Sequence, residues 1–305
     1  MRLSKHQTAV LALIIANVIW GASFPIYKWA LTSVKPFTFV FLRFFLGAIV
    51  LFPFVFRNLK IAKVDIGKII FASFAGITFC ISFLFLGLQI APSINASIIL
   101  STSPILLILA ALFYLHEKIK KKIIIGTIIS LFGVLIITLR PIVEHGLNHT
   151  ILGNFFFILT AIGGIIHIII LEKIMKRYSS LTIAFWTFVI GIIPLLPFVI
   201  IEAQQSNILN LFNIQGIIGI TYGFLFASAI AHSLLAYGIK YIKTSEVGIF
   251  GYVDPLATVI VAIPLLQETI TLYYIIGAVF VFGGIYIAEG RIPYHPFHLL
   301  KEGKN

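Results

Sequence analysis

Long apolar runs, separated by short polar or basic segments, make up most of the chain. A transmembrane helix needs about 20 mostly apolar residues. The runs predict ten such helices, over residues 8–29, 36–56, 66–88, 95–115, 123–139, 151–171, 181–201, 214–239, 246–266 and 272–288. The connections are short, and the longest on the outer side are residues 140–150 and 202–213. Because no soluble domain is visible, any binding site must lie among the helices.

The second half of the chain repeats the first. Over the 33 positions that start at Pro104, ten residues are identical to those 151 positions later. The matched pairs include Pro104 with Pro255, Glu117 with Glu268, Gly126 with Gly277 and Gly133 with Gly284. An earlier stretch aligns at a separation of 144, which pairs Phe41, Phe44, Gly47 and Pro53 with Phe185, Phe188, Gly191 and Pro197. Such a period marks a duplicated unit. Since each copy has an odd number of helices, the second copy is predicted to be inverted in the membrane.

The basic residues test this topology independently, because Lys and Arg accumulate in cytoplasmic loops. With the N-terminus inside, 18 of the 22 fall on the cytoplasmic side. Lys28, Lys35 and Arg140 lie toward the outside, and Arg43 is inside the second span. We therefore expect a multi-pass protein of the cytoplasmic (inner) membrane with both termini in the cytoplasm and residues 289–305 as a cytoplasmic tail.

Composition agrees with a lipid environment. The chain is 60% hydrophobic and 10% charged, with a mean hydropathy of +1.10. The net charge of +12 is carried by short loops, where basic residues set the membrane topology and contact anionic lipid. Nucleic-acid binding is therefore not expected. The single cysteine, Cys80, excludes an internal disulfide and is interpreted as a packing residue. The N-terminal apolar run continues through Trp20 without a persuasive cleavage site, which favours an uncleaved first span.

Two charged residues within the predicted spans are candidates for substrate binding. A charge at the centre of a transmembrane helix costs about 2.5 to 3.5 kcal/mol on insertion scales, so Arg43 and Asp254 need a partner or a polar cavity. A guanidinium binds a carboxylate with two hydrogen bonds, and a carboxylate accepts from an ammonium group. The pair could therefore bind an amino acid, and Asp254 could also carry a coupling proton. The alternative is that the two side chains bind each other or freed backbone carbonyls.

Three prolines within the spans indicate where backbone is freed. Each proline leaves the carbonyl four residues earlier without its helical partner, so Pro25, Pro104 and Pro255 free Gly21, Leu100 and Gly251. Freed backbone in a membrane is tolerated where it is buried in protein or lines a wet cavity. Ser101 and Ser103 beside Pro104, and Asp254 beside Pro255, are thus predicted to line a substrate cavity. The alternative is that the prolines only kink their helices.

Several further polar side chains have two interpretations. His167 and His232 could relay protons, but a buried histidine is more often simply hydrogen-bonded. Asn17, Trp20 and Tyr237 are predicted to bind substrate by hydrogen bonds or stacking, or else to hold helices together. The repeated glutamates, Glu117 and Glu268, lie in turns, where we expect them to cap helices or fix loops.

Other functional classes lack their sequence features. The spans contain no acidic pair and no nucleophile with its base, so a membrane-embedded enzyme is not expected. No phosphate-binding loop of the Gly-Lys-Ser/Thr type appears, which argues against ATP as the energy source. The histidines of the outer loop and tail, at 145, 149, 295 and 298, are interpreted as solvated, so neither metal nor cofactor is predicted. A channel, or an uptake carrier for a nucleoside-like or other metabolite, stays open as an alternative.

The motifs resemble those of a known family. Asn17-x-x-Trp20-Gly21-x-x-Phe24-Pro25, the buried Arg43, and the paired Pro-x12-Glu-x8-Gly-x6-Gly segments are similar to those of EamA-type carriers of the drug/metabolite transporter superfamily. The resemblance implies an all-α integral membrane fold of two inverted five-helix repeats, over residues 8–139 and 151–288, around a central cavity. It also implies movement of small metabolites, often amino acids or related compounds and frequently outward. The second copy departs at two positions, where Thr187 replaces Arg43 and Gly164 replaces Trp20.

These observations together predict a secondary carrier that alternates access by rocking one repeat against the other. Its expected partners are a small-molecule substrate, the lipid bilayer and a coupling proton.

Overall fold

The structure is a computed structural model, and it describes residues 4–103, 121–145, 149–175, 177–205, 208–241 and 248–289. Within these residues all regular secondary structure is helical. The α-helices are α1 (Lys5–Ala30), α2 (Pro36–Val55), α3 (Lys63–Ser73), α4 (Ser82–Ile90), α5 (Ser93–Leu100), α6 (Lys121–His145), α7 (His149–Met175), α8 (Ser180–Ile192), α9 (Leu196–Gln205), α10 (Ile214–Thr221), α11 (Ala231–Tyr241), α12 (Val253–Leu266) and α13 (Leu272–Glu289). Pro104, Glu117 and the two histidines of the tail lie outside the described residues.

Local sequence explains where several helices begin. Pro36 is the first residue of α2, where its missing N–H would have no helical partner in any case. Ser179 precedes α8, and its hydroxyl accepts from the backbone N–H of Thr182 at 3.1 Å. The described parts of the predicted spans are largely helical, and the fourth is described only to residue 103 and the ninth only from residue 248.

The described helices fall into two length classes. Six stretches are long and apolar enough to cross a membrane: Lys5–Ala30, Pro36–Asn58, Lys63–Ile90, His149–Leu171, Ser180–Gln205 and Ile214–Leu235. Shorter apolar helices cover Ile124–Ile137, Phe250–Leu266 and Leu272–Ile287. The chain is thus a multi-pass membrane protein, and the regular structure of its described part is helical.

Three departures from regular α-helix were not predicted. The third and eighth spans contain π-helical segments, Phe74–Ile81 and Tyr222–Ile230. The predicted ninth span is divided, because a 3₁₀ segment, Gly248–Tyr252, precedes α12. Pro255 has no N–H to donate to Gly251, so it is best accommodated in the first turn of an α-helix, and α12 begins two residues before it. Asp254 therefore lies in the first turn of an α-helix, and the interpretation that placed it in the middle of one was wrong.

The chain forms two compact units, and each combines segments from both halves of the sequence. Unit 1 consists of Met1–Pro25, Ser93–Leu147 and Ile230–Asn305, whereas unit 2 consists of Ile26–Pro92 and Asn148–Ala229. Each unit therefore contains segments of both copies of the repeat.

In unit 1, α6 packs along α13 at very close range. A Cβ added at Gly133 would lie 2.5 Å from the carbonyl oxygen of Gly277, and one added at Gly284 would overlap that of Gly126. Small residues at such crossings let membrane helices approach closely. Between the two glycine contacts, Ser130 Oγ donates to Val281 O at 3.0 Å.

In unit 2, α2 packs against α8, and the third span packs against α7. The rings of Phe44 and Phe188 meet with centroids 4.8 Å apart. Gly87 brings α4 against α7, because a Cβ there would lie 2.5 Å from the Phe157 ring.

Two carboxylates cap the N-termini of helices. Glu268 accepts from the backbone N–H groups of Ser93 at 2.7 Å and Ile94 at 3.1 Å, and from the Ser93 hydroxyl at 3.0 Å. The predicted capping role of Glu268 is therefore confirmed. Glu202 does the same for α2, accepting from the N–H groups of Phe37 at 3.1 Å and Thr38 at 2.7 Å. A negative charge at a helix N-terminus is stabilising, which explains why these two acids are kept at apolar helix ends.

Candidate functional site

Arg43 lies in the interior of unit 2, on α2. Its side chain is 6% exposed, and its Nε donates to Ser228 Oγ at 3.2 Å. The guanidinium carbon is 4.9 Å from the ring centroid of Tyr27 and 4.8 Å from that of Phe44. Each such cation–π contact contributes about 0.5 to 2 kcal/mol, more where water is excluded. Two ring faces and one hydroxyl thus surround the charge.

Further aromatic rings hold Tyr27 in place. Its ring stacks on Phe85 with centroids 5.1 Å apart and meets Phe39 edge-on at 5.4 Å. Tyr27, Phe39 and Phe85 are all at most 1% exposed. The face presented to Arg43 is therefore rigid.

The π-helical segment Tyr222–Ile230 supplies two of the residues around Arg43. Ser228 is the hydrogen-bond acceptor, and Gly223 makes room for the arginine stem, because a Cβ there would lie 3.2 Å from Arg43 Cγ and Cδ. A side chain at position 223 would press on the arginine. Short π-helical segments often occur at functional sites, where they redirect side chains.

The described carboxylates of unit 2 are engaged away from Arg43. Asp65 is bound by Arg177 at 3.1 Å and by the Tyr178 hydroxyl at 3.0 Å, and Glu202 caps α2. Among the described residues of this unit, no acid pairs with Arg43. A buried guanidinium with one hydroxyl acceptor retains N–H donors for an anion.

His167 lies elsewhere in unit 2, on α7. Its Nδ1 is 2.8 Å from the backbone oxygen of Ala72, and its ring occupies the space that a side chain at Gly76 would need. The carbonyl can only accept, so Nδ1 carries the hydrogen. This contact favours the alternative in which His167 is a hydrogen-bonded packing residue.

Asp254 begins a second group of candidate residues, in unit 1. Gly21 of α1 lies against the Asp254 backbone so closely that any Cβ at position 21 would overlap the Asp254 carbonyl. The hydroxyl of Thr258 lies 2.8 Å from both the Gly21 and the Asp254 carbonyl oxygens. Pro25 frees the Gly21 carbonyl, and the Thr258 hydroxyl of α12 supplies its hydrogen bond. This bond joins α1 to the N-terminal part of α12.

Among the described residues, the carboxyl group of Asp254 has fewer hydrogen-bond partners than its backbone carbonyl group. Its Oδ1 atom is buried and accepts no hydrogen bond within the part of the chain that the structure describes. An unpaired buried carboxylate oxygen is costly, so such groups are found at sites that bind a proton, a cation or a donor. Three residues earlier, Gly251 borders open space, since a Cβ there would meet nothing within 4 Å.

Trp20 and His232 come together beside this group. Their ring centroids are 5.4 Å apart in an edge-to-face arrangement, and Trp20 is adjacent to Gly21. Asn17, one turn earlier on α1, donates its amide to the Leu13 carbonyl at 2.8 Å. Trp20 thus lies beside His232 and next to the Gly21 contact with the Asp254 backbone.

The other predicted residues of unit 1 have mainly local contacts. Ser101 donates to the Ile98 carbonyl at 2.7 Å, and Ser103 follows at the end of α5, which packs against α12. Tyr237 packs against a buried cluster of Ala9, Val10, Leu13 and Phe250, and its ring lies 5.1 Å from that of Tyr241. These contacts favour helix packing as the role of Tyr237.

Four partners in these groups were missed from the sequence. Tyr27, Gly223 and Ser228 surround Arg43, and Thr258 joins Gly21 to Asp254. Only Thr258 carried a signal, because it lies four residues after Asp254 and one turn along the same helix.

Comparison with known proteins agrees with the membrane fold. A model of the EamA-like transporter family matches residues 7–139 and 151–289. The chain is 27% identical over 291 residues to an uncharacterized transporter, YetK, of Bacillus subtilis, covering 93% of this chain and 87% of that protein. It is 26% identical over 299 residues to a probable amino-acid metabolite efflux pump of Escherichia coli, covering 93% and 95% of the two chains. A protein crystal structure aligns with a TM-score of 0.61 at 15% identity, covering 94% of this chain and 98% of the other.

Proposed function

We propose that this chain, which belongs to the EamA-like transporter family, is a secondary carrier that exports a small metabolite by alternating access. Membership of the family makes it a membrane transporter. The substrate class we propose is an amino acid or a related compound, the class named for the similar Escherichia coli protein. We further propose the cytoplasmic membrane as its location, with both termini in the cytoplasm, because 18 of the 22 basic residues then face inward.

We propose two inverted five-helix repeats, a design that supports alternating access in other carriers. If two copies are related by a two-fold axis, a residue on the axis meets its own equivalent in the other copy. Away from the axis, contacts form exchanged pairs: where residue A of one copy meets residue B of the other, the equivalent of A also meets the equivalent of B. Ser130 bonds Val281, which lies 151 positions later, and Phe44 meets Phe188, which lies 144 positions later. Each pair joins one repeat position to its own equivalent.

Exchanged pairs occur in both units as well. In unit 1, Gly133 meets Gly277, and their equivalents, Gly284 and Gly126, also meet. In unit 2, Thr38 binds Glu202, and the equivalents Thr182 and Asn58 are joined by a bond of 3.3 Å from the Thr182 hydroxyl to the Asn58 carbonyl. These pairs support a two-fold relation between the copies, and the odd number of predicted helices in each copy makes the proposed duplication an inverted one.

The observation that carries the proposed substrate class is the buried guanidinium of Arg43. It retains N–H donors, its aromatic surround is rigid, and no described acid of its unit neutralises it. A carboxylate on the substrate would supply both the missing charge and the missing acceptors. We therefore assign the anionic group of the substrate to Arg43.

In unit 1, Asp254 is our separate candidate for contact with a substrate or a proton. Its buried Oδ1 has no described donor, so it can accept from a substrate ammonium or take up a coupling proton. Trp20 and His232 lie in the same locality of unit 1, where Trp20 offers a ring face and His232 a second titratable group. We keep Asn17, Ser101 and Ser103 as lesser candidates for substrate contact, and His167 as a lesser candidate for proton transfer.

Purified protein in sealed liposomes tests this function. We expect saturable uptake of a labelled amino acid or related metabolite that is accelerated by unlabelled substrate on the opposite side. This counterflow arises because a carrier returns faster when loaded. Flux without counterflow would instead identify a channel, and chemical conversion of the compound would identify an enzyme.

Asp254→Asn is expected to lose substrate transport while inserting normally into the membrane, because the amide cannot supply a negative charge or carry a proton. The matched control is Asp65→Asn, because the buried Asp65 carboxylate binds Arg177 and the Tyr178 hydroxyl in unit 2, and asparagine there should leave flux unchanged. Initial rates in liposomes at two pH values measure the effect. Wild-type flux for Asp254→Asn would remove this residue from the site.

A further inference from the structure

A groove runs along the membrane-facing side of α2 in unit 2, opposite α8 and α9. At one end lies a cavity of about 210 Å³ whose lining is mainly apolar but includes Ser33, Lys35, Thr38 and Asn210. The apolar part of the groove has a volume of about 380 Å³, and Phe45, Ala48, Ile49, Phe52 and Ile193 are among its lining residues. Phe41 borders both cavities, which therefore adjoin along the same side of α2.

From this graded lining we propose that the groove binds one anionic phospholipid, with its phosphate at Lys35 and an acyl chain along α2. Lys35 is exposed at the start of an apolar helix of 20 residues, which is a membrane boundary. Within the described residues, no acid pairs with the Lys35 ammonium group. The apolar part offers only hydrocarbon surface, and Phe45, Ile49 and Ile193 are 43%, 53% and 56% exposed.

The dimensions fit one leaflet. The hydrocarbon core of a bilayer is about 30 Å thick, so a leaflet spans about 15 Å. The ten residues from Lys35 to Phe45 rise about 15 Å along a helix. An acyl chain whose phosphate lies at Lys35 therefore ends inside the apolar part of the groove.

Charge identifies the class of lipid. Moving an acyl chain from bulk lipid into an apolar groove brings little hydrophobic gain, because lipid tails are as apolar as the groove. Selectivity must then come from the headgroup, and a cation near the surface contributes about 1 kcal/mol toward an anionic lipid. The nearby Glu202 carboxylate accepts from the backbone N–H groups of Phe37 and Thr38 and from the Thr38 hydroxyl, so the N-terminus of α2 balances part of its charge.

A second copy of the chain is the competing occupant. Two copies related by a two-fold axis along the membrane normal would bring their Lys35 ammonium groups to the same depth. Like charges at that position oppose such a dimer, whereas a lipid phosphate neutralises the single lysine. The lipid is therefore the occupant that we assign.

Native mass spectrometry of the purified protein, titrated with phosphatidylglycerol or phosphatidylcholine, tests this site. Lys35→Gln is expected to lower the preference for phosphatidylglycerol about fivefold, the effect of one surface cation. Lys63→Gln, at an equally exposed lysine of unit 2 that does not border the groove, is the matched control and should leave the preference unchanged.

A second variant fills the apolar part. Ala48→Phe should displace one bound lipid of either kind, whereas Val64→Phe, at a side chain that is 69% exposed away from the groove, should not. Unchanged lipid preference in Lys35→Gln would overturn the proposal. So would conversion of a dimer to a monomer by Ala48→Phe with the lipid count intact. Because lipid binding is measured without substrate, failure here leaves the transport proposal standing, and failure of transport leaves this one standing.

Discussion

Arg43→Gln is expected to lower kcat/KM for transport about 10- to 150-fold, while membrane insertion and folding stay normal. The reason is that a hydrogen bond to a charged group contributes about 1.5 to 3 kcal/mol, and glutamine can neither carry the charge nor offer the planar fork. Glutamine can still bond Ser228, and it relieves the cost of a buried cation, so the fold should tolerate it. Initial rates of substrate uptake into liposomes, with expression and monodispersity as checks, measure the effect.

The control for Arg43→Gln is a second arginine near the end of the same membrane span. Arg57 is exposed at the end of the second span, where its guanidinium carbon is 5.3 Å from the Phe56 ring. Arg57→Gln removes an equal charge and should keep the wild-type rate. Arg43→Lys should recover only part of the activity, because lysine keeps the charge but loses the bidentate geometry. Equal rates for wild type and Arg43→Gln would show that the substrate does not meet this arginine.

Gly284→Ala is expected to destabilise the protein by about 1 to 3 kcal/mol, the usual cost of overpacking. A Cβ at this position would overlap the Gly126 carbonyl and the Ser130 hydroxyl, and would lie 2.5 Å from the Ser130 backbone nitrogen. Backbone atoms cannot move aside as a flexible side chain can, so α6 and α13 would have to separate. The midpoint of unfolding in detergent, followed by circular dichroism, measures the loss.

The neighbouring glycine provides the control. Gly283→Ala places the same methyl group on the same helix, where nothing lies within 4 Å of it. Since alanine is a better helix former by about 1 kcal/mol, this variant should be as stable as the wild type or more so. Equal destabilisation by the two substitutions would mean that the close crossing of α6 and α13 does not hold the unit together.

Much of the architecture was predictable from residue pattern, because hydrophobic length alone determines where a helix can cross a bilayer. The capping role of Glu268 was predictable for a related reason, since an acid in a turn beside apolar helices has few partners other than backbone N–H groups. The freed carbonyl at Gly21 followed from Pro25, and only its partner, Thr258, needed the structure.

Other features depend on packing that one sequence does not encode locally. Nothing in Phe74–Ile81 or Tyr222–Ile230 distinguishes π-helix from α-helix, because the two differ by one extra residue per turn and share the same side chains. The two rings and the hydroxyl that contact Arg43 belong to Tyr27, Phe44 and Ser228, which come from three separate parts of the chain. Asp254 was assigned to a helix interior because an apolar run shows the length of a helical stretch, not the residue at which 3₁₀ gives way to α-helix.

The most direct test of the inverted duplication compares two equivalent positions. Lys60 and Gln204 are both exposed and are separated by 144 residues. Each is replaced by cysteine in a Cys80→Ala background and labelled in intact cells with a membrane-impermeant maleimide. Oppositely oriented repeats predict that Gln204→Cys is labelled from outside and that Lys60→Cys is labelled only after the membrane is opened. Labelling of both positions from the same side would contradict the inverted duplication on which the proposed carrier depends.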